Sequence, residues 1–152
     1  MRPVWGAAAL PGEDSMTASN LSAADGDDGK PNAIDQEHLA RMTLGDRRLE
    51  REVLEIFVRQ TTIMLNRIMD AEPALAAAAA HTLKGSARGI GAWRVARAAE
   101  HLENAANADG NAAGGGHDLV EAIEELKAAS LEASAAIGAR LTGLLAELSR
   151  QR

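Results

Sequence analysis

The 152-residue sequence has no cysteine and no tyrosine, only one phenylalanine and two tryptophans, and four prolines. The absence of cysteine excludes disulfides, thiol catalysis and thiolate-bound metals. Aromatic residues make up 2% of the chain. Half-buried strands favour aromatic and β-branched side chains, so an apolar fraction supplied largely by alanine points to closely packed helices. No apolar run approaches the roughly 20 residues needed to cross a bilayer. Val4–Leu10 is too short, and too soon followed by Pro11, to read as a signal peptide. A cytoplasmic protein with no membrane contact is expected. The formal charge of −6 argues against a general nucleic-acid binder. Nothing resembles a glycine-rich phosphate loop with its lysine and hydroxyl. What is present, 46% apolar residues, suffices for one domain with a modest core.

Residues 1–33 read as a disordered acidic leader, rich in Gly, Ser, Asp and Pro, with the run Asp25-Gly26-Asp27-Asp28. Its five acids against Arg2 and Lys30 leave a charge of −3. It is either a docking tail acting through Trp5 or a solvated segment without a role of its own. From Ile34 to residue 152 the pattern is helical. Asp35–Met42 predicts a short helix, broken by Thr43-Leu44-Gly45, and Asp46 is a suitable N-cap for the next. That helix sets Leu49, Val53, Phe57, Thr61, Met64 and Ile68 on one face, widened by Leu54, Val58 and Leu65. Met64 and Met69 read as core filler. Pro73 suits the first turn of a central helix reaching about Arg88. A turn at Gly89–Gly91 leads to a helix over Ala92–Asn107 with Val95, Ala99, Leu102 and Ala106 inward. Residues Asp109 to Gly116 read as a flexible linker. The last helix starts near Asp118 and carries a long seam from Leu119 through Ile123, Leu126, Ile137 and Leu144 to Leu148. Gly138 and Gly143 are candidates to bend or fray its end. Short turns between long helices predict an all-α, antiparallel up-and-down four-helix bundle with a short additional N-terminal helix.

The central helix carries the chemistry. Residues three, four and seven positions from His81 share its face. They are Ala74, Ala77 and Ala78 before it, and Lys84, Gly85 and Arg88 after it. The imidazole therefore stands above a low shelf of methyl groups with cations on one side. A separate stripe of Leu75, Ala79, Leu83, Ser86, Ala87 and Ile90 is expected to face the core. Glycine inside a helix costs about 1 kcal/mol relative to alanine. Gly85 therefore has either an access reason, letting another molecule's backbone approach the ring, or a packing reason, letting two helices cross closely. Residues 73–99 hold Lys84, Arg88, Arg94 and Arg97 with no acid among them. That run reads as a local positive patch, although Arg94 and Arg97 are equally compatible with plain solvated surface. His38, His101 and His117 show no shared ligand spacing, and no metal site is expected.

The run His81-x-Leu83-Lys84-Gly85-Ser86-Ala87-x-x-Ile90-Gly91-Ala92, followed by Val95, Ala96, Ala99, Leu102 and Glu103, closely resembles the histidine-containing phosphotransfer (HPt) family. The resemblance is carried by residues 81–103, and the surrounding helical pattern fits it over about 34–150. It implies a helical bundle whose exposed histidine is reversibly phosphorylated by the aspartyl phosphate of a receiver domain. Carried onto this chain, it implies His81 as phosphoacceptor, with Lys84 and Gly85 as its neighbours. It further implies Glu103 as the group that orients the ring, and a face of Ala77, Ala78, Gly85 and Arg88 that meets the partner. The implied partners are response-regulator receiver domains, of a hybrid histidine kinase and of a downstream regulator, with Mg²⁺ held by the partner and no cofactor in this chain. The chain would relay phosphate as a monomer, without making it.

Side-chain direction gives Glu103 a geometric rationale. In a hairpin about the Gly89–Gly91 turn, Glu103 sits about one turn farther from the turn than His81. Helical side chains lean toward their own N-terminus, so the two converge. A carboxylate on Nδ1–H would leave Nε2 as the nucleophile. The alternative is an ordinary exposed glutamate paired with Arg97 or Lys84. Imidazole with an ordinary pKa of about 6.5 is largely neutral near pH 7, and phosphoryl transfer asks mainly for positioning and charge compensation. Two other classes of function remain open: a helical interaction module in which His81 is incidental, and a dimerising histidine-kinase remnant using Leu141–Leu148.

Overall fold

The structure, a computed structural model, describes residues 32–111 and 116–151. The leader reading and residues 112–115 of the linker reading lie outside the described residues. Among the described residues there are five helices: α1 (Gln36–Met42), α2 (Arg47–Asp70), α3 (Pro73–Ile90), α4 (Trp93–Asn111) and α5 (Gly116–Arg150). The four long ones pack as neighbours round a ring, α3 on α2 and α4, and α5 on α4 and α2, while α1 packs on α3. Cross-helix ion pairs fix the antiparallel sense. Arg47 near the start of α2 meets Glu147 near the end of α5, and Arg94 and His101 of α4 meet Glu132 and Glu125 of α5. This is the up-and-down four-helix bundle with a short extra helix that the periodicity predicts. None of the helices among the described residues is long and apolar enough to cross a membrane.

Local chemistry sets the boundaries. Asp35 caps α1, its carboxylate accepting the His38 N–H at 3.0 Å, and Asp46 caps α2 by accepting from Arg48 and Leu49. Each such cap stabilises a helix by about 1 kcal/mol. Pro73 opens α3, where its missing N–H costs nothing. Gly91 ends α3 in the left-handed region at φ 83. The chain there turns directly against α1: the Asp35 N–H donates to the Gly91 carbonyl at 2.9 Å. A Cβ on residue 91 would sit 2.9 Å from the Asp35 Cβ, so only glycine fits both the φ and the space.

The core is built from Leu39, Leu54, Ile68, Leu83, Leu102, Leu126, Ile137 and Leu144, with alanines filling the α3–α4 contact. Alanine on both faces brings these two helices close enough for short side chains to meet across them.

Several sequence expectations shift. Leu49 is exposed, and Glu50 is turned inward in its place. Met64 is half-buried, but Met69 is exposed. Leu75 is also exposed, and Ala79 and Ser86 only half-buried; the core stripe of α3 runs through Ala76, Ala80, Leu83, Ala87 and Ile90. A run of alanines has no apolar contrast to set the phase of a stripe, so α2 and α4 decide which methyls are enclosed. Helix α4 continues to Asn111 and α5 begins at Gly116, both inside the stretch read as a linker. Gly89 belongs to α3 rather than to the turn, and α5 runs through Gly138 and Gly143 to Arg150.

Candidate functional site

His81 lies on the outward face of α3, its side chain 67% exposed. The Nδ1–H donates to Glu103 Oε2 of α4 at 2.9 Å. Lys84, one turn farther along α3, donates from Nζ to the other oxygen of the same carboxylate at 2.8 Å. Glu103 therefore contacts the His81 ring with one oxygen and Lys84 with the other. The Lys84 bond is the main reason that the Glu103 carboxyl sits below its ordinary range; burial opposes it, and the His81 bond adds to it. Glu103 is thus an ionised acceptor for the imidazole N–H at neutral pH.

The contact follows from the hairpin. α3 and α4 run antiparallel on a small-residue interface, and both side chains lean back toward their own helix starts. Fixing Nδ1 as the protonated nitrogen leaves Nε2 as the outer nitrogen of the ring, with its lone pair directed away from Glu103. Beside the ring is a shallow depression bounded by Ala74, Ala77, Ala78, Thr82, Glu103 and Asn107.

Of the face expected to meet a partner, Ala78, Gly85 and Arg88 are exposed. Ala77 is not: it is 6% exposed. It lies seven residues before Lys84 on one stripe, and Lys84 reaches the α4 glutamates, so this stripe is the one that α4 covers. A Cβ added at Gly85 would meet nothing within 4 Å. No neighbouring helix crosses there, which removes the packing explanation for that glycine and leaves open space beside the imidazole.

The positive patch of residues 73–99 is corrected by α4 and α5. Lys84 pairs with Glu103 and approaches Glu100 at 3.7 Å, Arg88 pairs with Glu100 at 3.0 Å, and Arg94 pairs with Glu132. A stretch without acids in sequence is neutralised by acids that the fold brings to it. Sequence reasoning missed Glu100. Its signal was available: Glu100 and Glu103, three apart on α4, oppose Lys84 and Arg88, four apart on the antiparallel α3.

The other histidines have different surroundings. His38 donates from Nε2 to the Arg88 carbonyl at 3.0 Å and packs edge-on to Trp93, whose indole N–H binds Asp35 at 3.0 Å. His101 donates from Nδ1 to Glu125 at 2.7 Å, so a carboxylate-held ring alone does not distinguish His81. What distinguishes it is Lys84 on the same carboxylate and open space at Gly85. His117 stands with Asp118 and Glu121, their ligand atoms within 4.8 Å of one another and all three residues exposed.

The model of one protein family, the Hpt domain, matches residues 52–151. That span covers α3, α4 and α5 whole and most of α2. No curated protein and no solved structure matches the chain.

Proposed function

The chain belongs to the Hpt domain family, the family of histidine phosphotransfer in two-component phosphorelays, and from that premise we propose that His81 is the residue that carries the phosphoryl group. The observation behind this assignment is a solvent-facing imidazole whose Nδ1–H is held by Glu103. In the step proposed, the Nε2 lone pair attacks the phosphorus of a receiver-domain aspartyl phosphate. The N–P bond forms as the acyl P–O bond breaks, and the bonding pair leaves on the receiver's aspartate. The ring becomes a phosphoimidazolium, keeping its Nδ1–H, and the Glu103 carboxylate offsets the positive charge gained by the ring. Onward transfer is the same step reversed toward a second receiver.

Lys84 is assigned to the phosphoryl oxygens. It is 2.8 Å from Glu103 and one helical turn from His81, a cation on the same helix face that can turn from the carboxylate to help balance incoming negative charge. Gly85 is assigned to partner access, since nothing stands over it. The donor is taken to be the receiver of a hybrid histidine kinase and the acceptor that of a downstream regulator, met in the cytoplasm by a monomer of this chain. Each receiver supplies its own Mg²⁺, so the chain needs no cofactor of its own. Ala78 and Arg88 extend the docking face, and Ala77 contributes at most its edge to the depression beside His81.

The test is labelling of the full chain by a panel of phosphorylated receiver domains. Acid-labile, base-stable phosphate is expected, and it should vanish in His81→Gln with the fold retained. A chain that binds receivers equally well with and without His81, and never acquires label, would instead be an interaction module. Sedimentation of the unlabelled chain separates a monomer from a dimerising kinase remnant.

A further inference from the structure

Five side chains make one ladder along the α3–α4 seam. The His81 imidazole touches Glu103 at 2.9 Å, Glu103 touches Lys84 at 2.8 Å, Lys84 approaches Glu100 at 3.7 Å, and Glu100 touches Arg88 at 3.0 Å. One oxygen of Glu100, Oε1, faces both cations. With the ring neutral, two anions and two cations cancel. A phosphoryl group arriving on Nε2 is then an excess of negative charge, which within the ladder is balanced only by a cation that loosens from its carboxylate. Glu103 must stay on Nδ1. Glu100 is therefore the carboxylate in the ladder whose hold on the cations is separable from its hold on the ring.

From this arrangement we infer that Glu100 is a positioning residue that sets how tightly the phosphoryl group is held on His81, by restraining Arg88 and sharing Lys84. The inference rests on the assignment of His81 as the phosphoryl carrier. A relay histidine must release what it accepts, and two unrestrained cations three and seven residues along the same helix face would favour retention. Glu100 limits that attraction. It touches no reacting atom, and its side chain is 48% exposed, so the effect is a modest electrostatic one.

The measurement is a partition. The full chain is mixed with the phosphorylated, Mg²⁺-loaded receiver domain that labels it fastest, and the ratio of phosphate on chain to phosphate on receiver is read once exchange has levelled. A levelled ratio does not depend on how fast the two proteins dock. Glu100→Gln should raise the ratio by about two- to fivefold, the range of a partly exposed ion pair. Arg88→Ala, which leaves Glu100 with Lys84 alone, should lower it, and Glu100→Asp should stay near the wild-type value. Opposite signs from the two partners of one ion pair are not what a merely structural contact yields. An unchanged or lowered ratio in Glu100→Gln, or the same ratio in Glu100→Asp and Glu100→Gln, overturns the inference. Label that depends on His81 while the ratio stays fixed would sink this inference alone. A wild-type chain that takes no label would sink the His81 assignment and this inference with it.

Discussion

If Gly85 meets a docking partner as proposed, one missing side chain trades local stability for access. A Cβ there would meet nothing within 4 Å, so alanine would fit the bundle and favour the helix by about 0.5–1 kcal/mol. A docking partner that uses this space, as proposed, makes Gly85 the position to test. Gly85→Ala is therefore expected to raise the thermal midpoint while slowing phosphoryl exchange with a receiver. The slowing should be roughly tenfold, the equivalent of about 1.4 kcal/mol of crowding in a docked interface. A calorimetric scan and a transfer time course on the same preparation check both halves. Higher stability with unchanged transfer would remove Gly85 from the docking face.

At the scale of elements, the hairpin end of α3 and α4 is held by α1. Asp35 caps α1, accepts the Trp93 indole N–H and donates its own N–H to Gly91, while His38 binds the last turn of α3. Burial pushes the Asp35 carboxyl up, but the hydrogen bonds from His38 N–H and the Trp93 indole outweigh it and leave it below its ordinary range. Everything passes through the close approach at residue 91. Gly91→Ala would place a methyl 2.9 Å from the Asp35 Cβ at φ 83, straining both the turn and the α1 contact. A loss of about 2 kcal/mol or more is expected, read as a lower urea midpoint. Hydrogen exchange should show the loss of protection concentrated in α1 and the α3–α4 turn. Protection that falls evenly across all helices would mean that α1 is not separately held there.

For the whole molecule, the start of α2 and the last third of α5 are joined by an ion pair whose carboxylate is buried. Glu50, 2% exposed, accepts from Arg140 Nε at 2.6 Å and from Arg47 at 3.0 Å. Burial raises the Glu50 carboxyl, and the two guanidiniums outweigh that and bring it below its ordinary range. Glu103 and Asp35 are lowered as well. A carboxyl whose folded pKa is depressed binds its proton more readily in the unfolded chain. Its stabilisation is fully present above the ordinary carboxylate pKa of about 4 and is lost as pH falls through the lower folded value. Urea midpoints are therefore expected to hold from pH 7 to about 5 as far as these groups are concerned, and to drop below about pH 4. The drop should be shallower in Glu50→Gln, which starts from a lower midpoint because Arg140 loses the nearer of its two charged partners. Equal acid slopes in the two proteins would show that Glu50 does not carry the dependence.

The fold was largely legible because apolar residues at steps of three and four are a local property of the chain. The seams through Val95, Ala99, Leu102 and Ala106, and through Leu126, Ile137 and Leu144, are all buried. The caps at Asp35 and Asp46 are local too, set by the carboxylate's reach to the next two or three amides. The site was legible in part: the residues around His81 follow from spacing on one helix, and Glu103 from the lean of side chains across a hairpin. The phase of the alanine-rich α3 was not legible, since identical methyls carry no sign of inside or outside. Leu75 and Ala77 exchange their expected surroundings for that reason. That the cations near His81 are neutralised was signalled in the sequence only by the spacing of Glu100 and Glu103 against Lys84 and Arg88. Charge balance at a point depends on what lies within a few ångströms, and Glu100, Glu103 and Glu132 arrive there from other helices. Helical identity and the helix face on which His81 stands were thus determined by the chain's own short-range pattern. The electrostatic setting of that histidine was decided only by tertiary packing, because charges interact through space.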